Sequence, residues 1–107
     1  MQFLFVAGEI RTMATKTVTF NQKGIERLPD DKPVVYKILS DGGKNNYTGV
    51  AQRGRVQERL QEHLPGGKDY VPGVKVQIDQ MSRIKDAKEK ESRILSRTKP
   101  PYNEQGT

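Results

Sequence analysis

The chain has 107 residues, a formal charge of +6 and a pI near 9.7, with 33% hydrophobic and 30% charged residues. That length suits one domain with a lean core and little stability to spare. The absence of cysteine excludes a disulfide scaffold and a cysteine-ligated zinc site, and no apolar run is long enough to span a membrane. A cysteine-free chain fits a reducing cytoplasm, which is the expected location, with no membrane among the expected partners. The basic balance points first to a polyanion such as DNA or RNA. A merely soluble basic protein would carry the same charge.

The opening "MQFLFVAGEIRTMATK" is briefly apolar but lacks the positive leader of a signal peptide. Met13, followed by Ala14 and Thr15, is a candidate start that sets residues 1–13 apart as upstream sequence. Residues 1–30 read as an N-terminal extension, with an extra strand at "TVTF" (17–20) and a short helix over 24–28. The domain proper is expected over residues 31–104. It opens with "PVVYKIL" (33–39), rich in β-formers behind a proline. The turn cluster "SDGGKNN" joins it to "YTGVA" (47–51) as a hairpin. The Gly-rich turn opens no helix, so it is no phosphate loop.

Gly54 ends the extended run, and "RVQERLQEHL" is helical, with Val56, Leu60 and Leu64 in one stripe closed by "PGG". "VKVQIDQ" (74–80) alternates, with Val74, Val76 and Ile78 on one face and Lys75, Gln77 and Asp79 on the other. A last helix spans roughly 87–97, with Asp86 and Glu89 spaced as a capping-box variant and "KPPYN" as its stop. The expected class is α+β: a small three-stranded antiparallel sheet flanked by helices, in the order β-β-α-β-α.

Two helices carry the chemistry. On the first, Arg55, Arg59 and His63 recur every four residues, so they stack along one side. His63 falls just inside the apolar arc and Arg59 just outside it, which suits either a half-buried core histidine or a cation and imidazole at a cleft rim. On the second, Ile84, Ala87, Ile94 and Leu95 span an arc of about 100°, with Glu91 near its middle. An inward carboxylate needs a partner: an arginine such as Arg59, or a metal. Residues 82–99 hold seven Lys/Arg against three Asp/Glu, a positive face suited to phosphodiesters. For most of those lysines a solvated helix face is an equally good reading.

Taken together these segments resemble the GIY-YIG nuclease family. "VVY" (34–36) resembles the first half-motif and "YTG" (47–49) the second, with Tyr36 and Tyr47 eleven residues apart. "RLQEH" (59–63) resembles the family's helix arginine and the histidine found in some branches. "ESRILSRTKPPYN" (91–103) resembles its glutamate helix and terminal asparagine. The resemblance covers about residues 33–103. Val34 stands where the first motif usually has glycine, and Thr48 where the second has isoleucine or valine. Arg53 and Gly54 look like a short insertion ahead of the helix, which makes Arg59 the match for the family arginine and Arg55 the fallback.

The resemblance implies hydrolysis of DNA phosphodiesters, duplex or branched, with one divalent ion, Mg²⁺ or Mn²⁺, held by Glu91. It implies that Arg59 contacts the scissile phosphate and that Tyr36 or Tyr47 is the general base or orients the attacking water. His63 relays a proton and Asn103 braces the site. Gly49, Arg53, Arg55 and Lys99 are supporting or nucleic-acid-binding positions. A bare domain of this kind implies a specificity partner or a dimer. A non-catalytic nucleic-acid-binding module, or a basic structural protein, on the same fold is the alternative.

Overall fold

The computed structural model describes residues 11–103. In chain order the elements are β1 (Thr12–Thr19), α1 (Gln22–Glu26), β2 (Val34–Leu39), β3 (Asn45–Ala51), α2 (Val56–Glu62), β4 (Lys75–Met81) and α3 (Ile84–Arg97). The strands form one four-stranded sheet in the order β1-β4-β2-β3, with every neighbouring pair antiparallel. The α+β class with helices flanking an antiparallel sheet therefore stands, whereas the expected three strands and β-β-α-β-α order do not.

The additional strand is β1. It starts five residues before the expected "TVTF" segment and pairs with β4 from Thr12↔Met81 to Thr19↔Lys75. Its sequence hid this, because an edge strand of Thr, Ala and Lys that stays mostly exposed shows no apolar alternation. Most of the segment taken as lying upstream of a start at Met13 falls outside the described residues; Thr12 belongs to β1. The helix expected at 87–97 begins at Ile84, and its N-cap Arg83 makes no side-chain cap bond. Asp86 pairs with Arg83 at 3.4 Å rather than closing a capping box with Glu89.

The strand period of two divides the core. Val34, Tyr36 and Ile38 of β2 and Val76 and Ile78 of β4 share one face with Ile25 of α1 and Val56 and Leu60 of α2. Val35 and Met81 share the other face with Ala87 of α3, flanked by Val50, Ile84 and Ile94. So α1 and α2 cover the Tyr36 face, and α3 covers the opposite one. The polar face of β4 is only partly solvated: Lys75 is exposed and Gln77 partly so. Asp79 is buried beneath α3, where it accepts a hydrogen bond from Thr15 of β1 at 2.7 Å and pairs with Lys90 of α3 at 2.9 Å.

Helix α2 owes its start to a residue far away in sequence. Gly54 takes φ +84°, a left-handed turn that favours glycine. The next two residues lead into backbone N–H groups that the helix cannot satisfy itself. Asp30 accepts from Val56 at 2.7 Å and from Gln57 at 3.3 Å, and so acts as the cap. The outer edge of β3 is also sealed. Tyr102 N–H donates to the Asn46 carbonyl, and the Asn103 side chain accepts from Thr48 N–H and donates to Thr48 C=O, each at 2.8 Å. That leaves no long open edge on this side of the sheet. Among the described residues, no helix is long and apolar enough to cross a membrane.

The Asp79 knot ties β1, β4 and α3 together, and removing one partner strands a buried charge. Lys90→Met should lower stability by ~3 kcal/mol, whereas adding Asp79→Asn to it should recover part of the loss. Urea melts of the wild type, the single variant and the double variant check this.

Candidate active site

Four of the residues singled out in the sequence meet on the Tyr36 face. Tyr36 sits mid-strand on β2, paired with Gly49, and Tyr47 is paired with Ile38, so both phenols leave the same face. Their rings stack with centroids 6.1 Å apart. His63 is the C-cap of α2, one residue past the helix proper, and its ring lies 5.6 Å from Tyr36 and 4.8 Å from Tyr47. Gly49 makes the packing feasible: a Cβ there would stand 2.6 Å from Tyr36 Oη and 2.9 Å from the Tyr47 ring.

The hydrogen bonds define the proton positions. His63 Nδ1 lies 2.7 Å from the Asp69 carbonyl, which can only accept, so Nδ1 carries the proton. Burial, reinforced by the nearby Arg59 cation, pushes His63 below its ordinary pKa, which favours the neutral ring. Its bare Nε2 then accepts from the Tyr36 hydroxyl, 2.8 Å away. Tyr36 is fully buried. Burial first, then the neighbouring Tyr47, raises its pKa well above that of an ordinary phenol, and Arg59 only partly opposes this. Tyr36 is therefore a neutral donor, and it gives up its proton only if His63 takes it. Tyr47 is partly buried against the same core, less enclosed than Tyr36.

Arg59 reaches the mouth of this cluster from α2. Burial works against its charge, but hydrogen bonds to the Glu62 and Asp69 carboxylates oppose that and keep it cationic. It pairs with Glu62 one helical turn on and with Asp69 at 3.1 Å. The pairing holds Glu62 below the usual carboxylate range, and Lys68 adds to the effect. Glu62 was readable as an i,i+3 partner of Arg59. Asp69, in the loop after α2, supplies both the His63 acceptor and a second Arg59 partner, and no periodicity marks it.

The remaining predicted residues are not part of the cluster. Arg55 is exposed and pairs with Glu58 at 3.2 Å, although it lines the same cleft as Arg59. Arg53 and Lys99 are exposed, and Asn103 acts through the β3 backbone next to Tyr47. Glu91 shares the inward stripe of Ala87 and Ile94, but α3 lies on the Val35 face. The sheet therefore lies between Glu91 and the phenols. Nor does Arg59 serve as the partner of Glu91. Burial raises the Glu91 pKa, and among the described residues Lys88 is the one charge that acts against the rise.

No group of three His, Asp or Glu side chains converges on a metal position among the described residues. Glu91 offers a single half-buried carboxylate, so an ion held there would take its remaining ligands from water and substrate. The chain matches no family model, no curated protein and no solved structure.

Two outcomes test this geometry. Gly49→Ala forces Tyr36 off His63 and should cost ~1–3 kcal/mol in a chemical melt, with backbone shifts centred on Tyr36 in NMR spectra. The second concerns pH. The folded-state pKa of His63 is depressed, so as pH falls through about 6.5 the unfolded chain gains a proton that the folded chain refuses. Stability should therefore fall on acidification from about pH 7 to 5. His63→Gln, which cannot titrate, should show a shallower fall in the same urea melts.

Proposed function

We propose that this protein is a metal-dependent endonuclease of the GIY-YIG type that hydrolyses DNA phosphodiester bonds. The observation that carries the reading is the buried Tyr36–His63 hydrogen bond, with a second phenol and a guanidinium beside it. A buried phenol needs an acceptor in any fold; what points to chemistry is the second phenol and the Arg59 cation beside this one. Tyr47, the less enclosed phenol, meets the attacking water, and Tyr36 with His63 behind it holds the ring and provides a route for the proton. Arg59 contacts the scissile phosphate and stabilises charge that grows there, once substrate replaces one of its carboxylate partners. Glu91 is the residue that would hold Mg²⁺ or Mn²⁺, whose contribution when bound is Lewis-acid polarisation of the phosphoryl group. Val50, from the α3 face, and Ala51, from the Tyr36 face, line one cleft together with Arg59. Glu91 does not line that cleft.

A second reading, a nucleic-acid-binding module without hydrolysis, is favoured by one observation: Glu91 stands across the sheet from Arg59, which already has two carboxylate partners. Incubation of the purified protein with supercoiled, branched and single-stranded DNA separates the two. The nuclease reading expects nicking with Mg²⁺ or Mn²⁺, none with EDTA, and a loss of about 10²–10³ in turnover for Arg59→Ala. Arg55→Ala should act mainly on affinity. Retained DNA binding without cleavage in any metal would select the binding module.

A further inference from the structure

Two shallow hollows lie side by side at the end of the sheet where β3 and β4 finish and β2 begins. One is lined by Arg55, Arg59 and Lys68, with Glu62 as its single carboxylate. The other is lined by Lys32, Arg53 and Arg83, with Asp31 as its single carboxylate. Gln52, the residue after β3, lines both, so the two adjoin along one trough-like stretch of surface. Asp31 already accepts from the Gln80 amide at 2.9 Å. Lys32 and Arg53 have no carboxylate partner among the described residues, and the Arg83–Asp86 pair is long, at 3.4 Å, and exposed. Six cations and two carboxylates line the two hollows; Arg55, Arg59, Lys68 and Arg83 are paired with carboxylates, which leaves Lys32 and Arg53 as the cations without one among the described residues. No aromatic side chain lines either hollow, so nothing there can stack on a base.

We propose that this trough is a track for the phosphodiester backbone of duplex DNA. It runs from Arg59 past Gln52 to Lys32, Arg53 and Arg83, and those three bind phosphates flanking the one at Arg59. The placement of the reacting phosphate at Arg59 rests on the endonuclease reading; the track itself rests on charge and shape. Because contact is to backbone alone, binding along it is independent of base sequence and strongly dependent on salt.

The opposite end of the sheet provides the control. A separate hollow near the end of β1 is lined by Lys23, Arg27 and Lys75, so neutralising these three removes the same charge elsewhere. Binding is measured by fluorescence anisotropy in EDTA, across a salt series, with a labelled duplex of about 20 base pairs. Combined Lys32→Gln, Arg53→Gln and Arg83→Gln should weaken binding at least ~10-fold and reduce the slope of log affinity against log salt by about two to three. Combined Lys23→Gln, Arg27→Gln and Lys75→Gln should leave that slope nearly unchanged. Arg53→Glu alone, at an exposed position, should reproduce the ordering if the triple variant loses its fold. Equal losses in both triples would reduce the effect to net charge and overturn the track, as would an unaffected first triple or a wild type that binds no duplex. Intact, track-dependent binding without cleavage would leave the track standing while the endonuclease reading fails. Tighter, equally track-dependent binding of RNA or single-stranded DNA would overturn the assignment to duplex.

Discussion

The hydrogen bond between Tyr36 and His63 constrains more of this molecule than any other contact. Its donor comes from the second strand and its acceptor from the end of the second helix, and both groups are buried. A satisfied buried hydrogen bond contributes only about 1 kcal/mol net, but a stranded partner costs about 1–3 kcal/mol. The surroundings are accordingly arranged to keep it. Gly49 leaves room for the Tyr36 hydroxyl, the loop after α2 folds back so that the Asp69 carbonyl holds Nδ1, and Arg59 is drawn to the same loop. Strand pairing, helix termination and loop path thus converge on one proton position.

The constraint also separates the roles of the two tyrosines. Both were equivalent in the sequence, eleven residues apart on paired strands. In the structure one is fully buried and bonded to the imidazole, while the other is only partly buried. On the proposed nuclease reading, Tyr47 is the phenol that meets water and Tyr36 the fixed donor. Asn103 supports the same strand from outside by completing the hydrogen bonding of Thr48, the residue between Tyr47 and Gly49.

Much of this was legible in the chain. The hairpin, the alternation of β4 from Lys75 on, the last helix, most of α2 and the inward lean of His63 follow from periodicity and turn residues, although α2 ends at Glu62, short of Leu64, and Val74 is exposed ahead of β4. What escaped did so for identifiable reasons. The first strand is an exposed edge without apolar alternation. Asp30 caps a helix 26 residues away, and Asp69 acts through its backbone carbonyl as much as its side chain. Glu91 is the most instructive case. Helical periodicity identified the inward side of its helix, and the structure agrees that this side is half-buried. Periodicity carries no information about which face of the sheet that side meets; the path of the chain from β4 into α3 decides it. The step from an inward carboxylate to one beneath the phenols therefore did not follow from the pattern.

The central claim is that a neutral imidazole, protonated at Nδ1, accepts a hydrogen bond at Nε2 from the Tyr36 hydroxyl. The chain has a single histidine, so its imidazole nitrogens give one unambiguous set of NMR signals. With ¹⁵N-labelled protein near neutral pH, the account predicts a protonated Nδ1 and a bare, hydrogen-bonded Nε2, whose shift moves in Tyr36→Phe while that of Nδ1 holds. A proton on Nε2, an imidazolium near neutral pH, or an Nε2 signal indifferent to Tyr36→Phe would contradict it.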